Sequence, residues 1–279
     1  MIRTLKSALG AMLPPLLLRW SRRRHRMRFD GPFPSWDAAA NASEGYSAPL
    51  ILERVIAANR QVVRGEAAYE RDSVTFAEPA ADPLLLAELE RQAAIAAGAP
   101  LVVIDIGGSL GSSYRQHRRF LPAGLPVQWH IVEQPHYVEA GAREFQSEEL
   151  RFHDSLASAQ QAAPRPALVL LASVLPYLPE PWAMLETVTR WPARALVIFR
   201  TPFADETGDK VVVQHVPPNI YRASYPSWIF STKRFVAFWQ SRGATIEWHP
   251  TAEGEAQAGS LHFTYRSAVV RPAASSART

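Results

Sequence analysis

The chain contains no cysteine, which excludes disulfides, thiolate metal sites and thiol nucleophiles together. Its eight histidines show no HxH or HExxH spacing, so no metal is expected. No apolar run approaches the roughly twenty residues that cross a bilayer. The longest near the start, Ala8 to Leu18, is interrupted by Pro14-Pro15, which break a continuous helix. Acidic residues are missing from positions 1–28, which hold eight of the 30 Lys and Arg. The rest therefore carries 22 bases against 26 acids, so the overall charge of +4 conceals a body of −4. A nucleic-acid-binding domain would show its positive charge on the body; nucleic acid is not an expected partner.

Residues 1–29 read as a basic, apolar leader, with two interpretations. It anchors the chain peripherally to anionic lipid at the inner face of a membrane, each Arg contributing about 1 kcal/mol, or it is a basic segment with no role. The body is expected in the cytoplasm. With 279 residues, 47% of them hydrophobic, the chain can bury one large core. Residues 30–98 read as a helical extension or cap. Pro49 opens one helix, closed by Gly65, and Asp82-Pro83 caps a second that ends at Gly98. From residue 99 to 270 short apolar runs alternate with amphipathic segments: LVVIDI, VQWHIVE, LRFHD, ALVLLAS, RALVIFR, TIEWH and LHFTYRSAVV. That alternation predicts an α/β Rossmann-like domain with a mostly parallel seven-stranded sheet and an antiparallel final strand. Residues 203–231 read as a substrate insert and 271–279 as a disordered tail.

Glycine is sparse at 14 residues, yet three fall within 107–111, directly after the first strand. In an open parallel sheet this turn lies where ligands bind. The segment Asp105-Ile106-Gly107-Gly108-Ser109-Leu110-Gly111 fails the G-x-G-x-x-G fingerprint and, lacking Lys, the phosphate-cradling loop as well. Its acid two residues before the first glycine suits a ligand with a positive end, where a pyrophosphate would be repelled. The second strand ends on Glu133, placed to accept hydrogen bonds from a ribose diol.

These motifs resemble class I S-adenosylmethionine-dependent methyltransferases. More narrowly, SWDAAANASEGY (35–46), GEAAYERDSV (65–74), IDIGGSLGSSY (104–114), WHIVEQPHYVEAG (129–141), LLASVLPYLPEP (170–181) and VQHVPPNIYRASYPSWIF (213–230) resemble a family of predicted methyltransferases associated with bacterial surface-polysaccharide gene clusters. The resemblance covers most of residues 30–249; Ser109 departs from the broad pattern at its middle glycine. It implies S-adenosyl-L-methionine as cofactor, bound by Asp105, Gly107, Gly108, Ser109, Gly111, Tyr114, Glu133, Gln134, Asp154, Ser155 and Ser173. It implies methylation, O-directed, of a glycan or glycolipid precursor. Tyr177 is expected near the transferring methyl and His215 as general base. Gln214, Tyr221, Tyr225 and Trp228, in an aromatic and proline-rich insert, are expected to meet the acceptor. The competing readings are a non-catalytic scaffold that keeps the fold and, against the glycine spacing, a nicotinamide oxidoreductase.

Overall fold

A computed structural model describes residues 27–44, 48–217 and 223–273. The leader up to residue 26 and Tyr221 lie outside the described residues. The chain forms two compact units. The smaller is bounded by Met1–Tyr46, Lys210–Ser227 and Gln257–Leu261, the larger by Ser47–Asp209, Trp228–Ala256 and His262–Thr279.

The larger unit holds the predicted sheet. Strand β4 (Leu101–Ile106) pairs in parallel with β5 (Val127–Val132) on one side and β7 (Leu168–Ala172) on the other. Beyond β5 lies β6 (Leu150–His153); beyond β7 lies β8 (Ala195–Ala204), both parallel. The chain's last strand, β12 (Leu261–Arg271), runs antiparallel to β8 and pairs with β11 (Thr245–Ala258). Seven of the sheet's ten strands order as β6-β5-β4-β7-β8-β12-β11, the Rossmann-like arrangement expected, with one reversed strand next to the edge; the sheet has three strands more than the seven predicted. The central strands β4 and β7 and the first half of β8 are nearly unbroken aliphatic runs because helices cover both faces. Those helices are α3 (Pro83–Ala96), α4 (Ser112–Arg118), α5 (Pro135–Glu144), α6 (Leu156–Ala162), α7 (Pro181–Val188) and α8 (Thr232–Gln240). One face packs Ile104, Val169, Leu171, Leu185, Ile198, Phe230 and Phe235, all buried. Each such side chain contributes roughly 1.5–3 kcal/mol.

The expected helix caps form. Asp82 accepts from the backbone N–H of Leu84 at 3.0 Å, ahead of Pro83, and α2 (Ala48–Val63) stops just before Gly65. The helical reading of residues 30–98 is nevertheless incomplete. β2 (Tyr69–Arg71) and β3 (Val74–Phe76) form a hairpin joined by Asp72 and Ser73, whose φ values are 51° and 64°. Two successive positive φ angles match the right-handed twist of the flanking strands.

In the smaller unit, part of the predicted insert forms strand structure. β1 (Arg28–Phe33) pairs antiparallel with β9 (Lys210–His215), and α1 (Trp36–Asn41) follows β1. Val211, Val212 and Val213 are buried. The insert's other half is strand β10 (Ser224–Ser231), whose last residues pair with the end of β8 at Phe230↔Phe203 and Ser231↔Ala204.

Candidate functional site

The glycine turn sits at the C-terminal end of β4. Asp105 is fully buried, and Trp129 on β5 donates its indole N–H to Oδ2 at 3.1 Å. The other oxygen, Oδ1, has no partner. Burial pushes this carboxyl up to about 7; the Trp129 hydrogen bond opposes that shift and the nearby charge of Glu133 adds to it. A buried carboxylate oxygen without a donor is costly in isolation, so this atom is a feature that a cationic ligand group would satisfy.

The turn closes over the acid because two positions carry no Cβ. A Cβ on Gly108 would lie 2.6 Å from Asp105 Cγ. One on Gly107, where φ is +72°, would lie 2.5 Å from Val174 Cγ2, which ties the turn to the segment after β7. Ser109 takes φ +54°, the conformation that a glycine would adopt at no steric cost. Its N–H donates to Glu133 Oε1 at 3.2 Å. Gly111 is the N-cap of α4.

Glu133 follows β5, with Oε2 accepting from the Gln134 N–H at 2.8 Å. Burial raises its pKa, and those two backbone hydrogen bonds oppose the rise. The two acids therefore sit at neighbouring strand ends, within electrostatic reach of one another. Both Glu133 oxygens already accept a hydrogen bond, yet each carboxylate oxygen retains a second lone-pair site. At the next strand end, Asp154 is exposed after β6 and Ser155 caps α6 by accepting from the Ser158 N–H.

On the other side of β4, Ser173 follows β7 with φ +59° and accepts from Arg200 Nε at 2.7 Å. Arg200, on β8, also has positive φ, +46°, and its N–H donates to Ser267 on β12. Tyr177 ends a short 3-10 helix, Leu175–Tyr177. It lies close enough to the half-buried Tyr265 of β12 for its charge to add to the desolvation that raises the Tyr265 pKa. Arg200 and Tyr265 carry no motif; its place closing the apolar run RALVIFR is the one sequence signal for Arg200.

Tyr114 is the clearest correction. Helix α4 runs back from the turn, and the Tyr114 hydroxyl donates to Glu149 Oε2 at 2.7 Å. Glu149 precedes β6, four positions before the strand's end at His153, and it is also held by Arg118 at 2.7 Å. Tyr114 thus points to the lower part of the sheet, away from the rim. His117 is equally structural: Nε2 accepts from the Asp82 N–H at 3.0 Å and Nδ1 donates to the Ser113 carbonyl.

A buried network missed in the sequence braces the turn from below. Glu70 on β2 accepts from Asn59 Nδ2 at 3.2 Å and from the hydroxyl of Ser112, the first residue of α4. Arg115 donates to Asn59 Oδ1 and to the Leu110 carbonyl. Burial raises the Glu70 pKa and lowers that of Arg115 to about 10.

Of the insert residues, Trp228 donates its indole N–H to the Leu178 carbonyl at 3.0 Å, beside Tyr177. In the smaller unit His215 Nε2 lies 2.7 Å from Asp30 Oδ2, and Gln214 Nε2 donates to Tyr225 Oη at 3.4 Å. Among the described residues no group of three or more His, Asp or Glu is placed to hold a metal, and no helix is long and apolar enough to cross a membrane.

No family profile and no curated protein matches the chain. Several solved structures are similar in fold. One is the N-terminal domain of EvdMO1 in the presence of SAH and D-fucose, with 15% identity and TM-score 0.45, covering 82% of this chain and 98% of that one. Another is a protein of Klebsiella pneumoniae described as a candidate O-methyltransferase, with 12% identity and TM-score 0.41, covering 82% and 91%. A third is the glycopeptide N-methyltransferase MtfA, with 12% identity and TM-score 0.43, covering 69% and 91%.

Proposed function

We propose that this chain is an S-adenosyl-L-methionine-dependent methyltransferase. The observation that carries the reading is the pair Asp105 and Glu133, one with an orphaned buried oxygen beneath Gly108, the other hydrogen-bonded to the same turn. The residues present fit that ligand: an acid for its ammonium end, glycine backbone for close approach, and a second acid with lone pairs left for a ribose diol. When bound, the cofactor supplies a methyl group made electrophilic by its sulfonium. Gln134, Asp154 and Ser155 line the continuation of the rim toward its base, and Ser173 the other end.

The chain's own part is to align the acceptor with that methyl and to keep water out. Tyr177 and His215 are proposed for proton handling; the short contact between His215 and Asp30 is the acid–imidazole pairing that orients a base. Gln214, Tyr221, Tyr225 and Trp228 are proposed to face the acceptor, a glycan or glycolipid precursor of surface polysaccharide, as the family resemblance implies. Calorimetry with S-adenosylhomocysteine should show binding that Glu133→Ala weakens at least about tenfold, or about 1.4 kcal/mol. No binding by the folded wild-type protein would defeat the proposal. Transfer of radiolabelled methyl to an acceptor in extract separates an enzyme from a scaffold.

We also propose peripheral attachment to anionic membrane through residues 1–28. Their deletion should move the protein from the membrane fraction to the supernatant; an unchanged distribution would remove the proposal.

A further inference from the structure

We infer that Arg200 receives an anionic oxygen group, carboxylate or phosphate, of a ligand bound at this rim. Three arginines of the larger unit meet carboxylates at 2.7 Å, Arg118 with Glu149, Arg234 with Asp209 and Arg271 with Glu88, whereas Arg119 and Arg194 donate to neutral acceptors. Arg200 has no acidic partner among the described residues. Its Nε is spent on the Ser173 hydroxyl, a neutral group that fixes the plane of the guanidinium without cancelling its charge. The two terminal nitrogens remain as a fork, the geometry that binds carboxylate or phosphate in a bidentate way.

Its location singles it out further. Arg200 and Ser173 both hold positive φ without being glycine, a conformation that persists only where the surroundings enforce it and that collects at ligand sites. Ser173 precedes Val174, the residue whose side chain abuts Gly107, so the cation stands beside the same turn as Asp105. The rim is therefore acidic over β4 and β5 and basic where β7 meets β8. A ligand with a positive and a negative end would lie along it in one direction only.

The anion has two sources: the amino-acid carboxylate of the nucleoside proposed above, or an anionic acceptor. The first rests on the methyltransferase reading. Full-length wild type, Arg200→Gln and Arg200→Met would be titrated with S-adenosylhomocysteine, with 5′-methylthioadenosine, which lacks the amino-acid end, and with inorganic phosphate. If the carboxylate is the ligand, either variant loses at least about tenfold in affinity for S-adenosylhomocysteine and less than about twofold for methylthioadenosine. If the acceptor supplies it, nucleoside affinity is unchanged, and phosphate binding by the nucleoside-saturated wild type is lost in the variant. The inference is overturned when a variant with a wild-type melting profile binds S-adenosylhomocysteine and phosphate as wild type does. Failure of wild type to bind either nucleoside would instead defeat the methyltransferase reading, leaving the phosphate titration to decide on Arg200.

Discussion

Gly108→Ala should destabilise the protein by about 3 kcal/mol and abolish nucleoside binding. The added methyl would stand 2.6 Å from Asp105 Cγ and 2.7 Å from Oδ2, so the buried carboxylate must leave its place against Trp129. Nothing nearby is loose: Asp105, Trp129 and Leu110 are all fully buried. The backbone at Gly108 needs no unusual φ, so the effect is a collision and not dihedral strain. That gives a second arm to the experiment. In a chain that also carries Asp105→Ala, the three atoms that the methyl would strike are gone, and thermal unfolding should show most of the stability restored. Binding should stay lost, because the acid is missing. Additive stability losses in the double variant would refute the collision.

Nucleoside affinity should fall about tenfold for each pH unit below about 7, and Asp105→Asn should flatten that slope. The acid is held protonated below about 7 by its burial, whereas a ligand ammonium favours the carboxylate, so binding at lower pH must release a proton. The same shift governs stability with a definite sign. A carboxyl raised from about 3.9 in the unfolded chain to about 7 stabilises the fold fully below pH 4 and loses that contribution as pH climbs to 7. Histidines oppose it in part of the window: burial lowers His130 to about 4 and lowers His117 and His153, so their contribution rises with pH toward 6.5. The measurement is therefore the difference between Asp105→Asn and wild type, which should shift in favour of the variant from pH 4 to 7. Parallel curves would dispose of the assignment.

Where pattern and burial agree, the sequence was easy to read. LVVIDI, VQWHIV and LVLLA become β4, β5 and β7 because short, mostly apolar runs alternating with amphipathic helices suit strands covered on both faces. The glycines and Glu133 were legible because their spacing reflects the strand-to-helix geometry itself. Three things were hidden. The hairpin of β2 and β3 has three-residue strands and turns on Asp72-Ser73, with no glycine to announce it. β9 buries Val211, Val212 and Val213 in succession, so no alternation announces it, and Pro226 interrupts the pattern of β10. Arg200 stands out through its positive φ and its hydrogen bond to Ser173, which no side-chain pattern encodes. Tyr114 was misjudged for a directional reason: three residues past the turn, a helix already carries its side chains down the sheet.

The bracing of α4 by Glu70 and Asn59 has a practical side. A fragment cut at residue 99 would retain every Rossmann strand, but it would strip the guanidinium of Arg115 of its acid and the hydroxyl of Ser112 of its acceptor. Residues 48–76 are thus a buttress for the ligand-facing turn, and the shortest autonomous piece of this protein must begin well upstream of its first parallel strand.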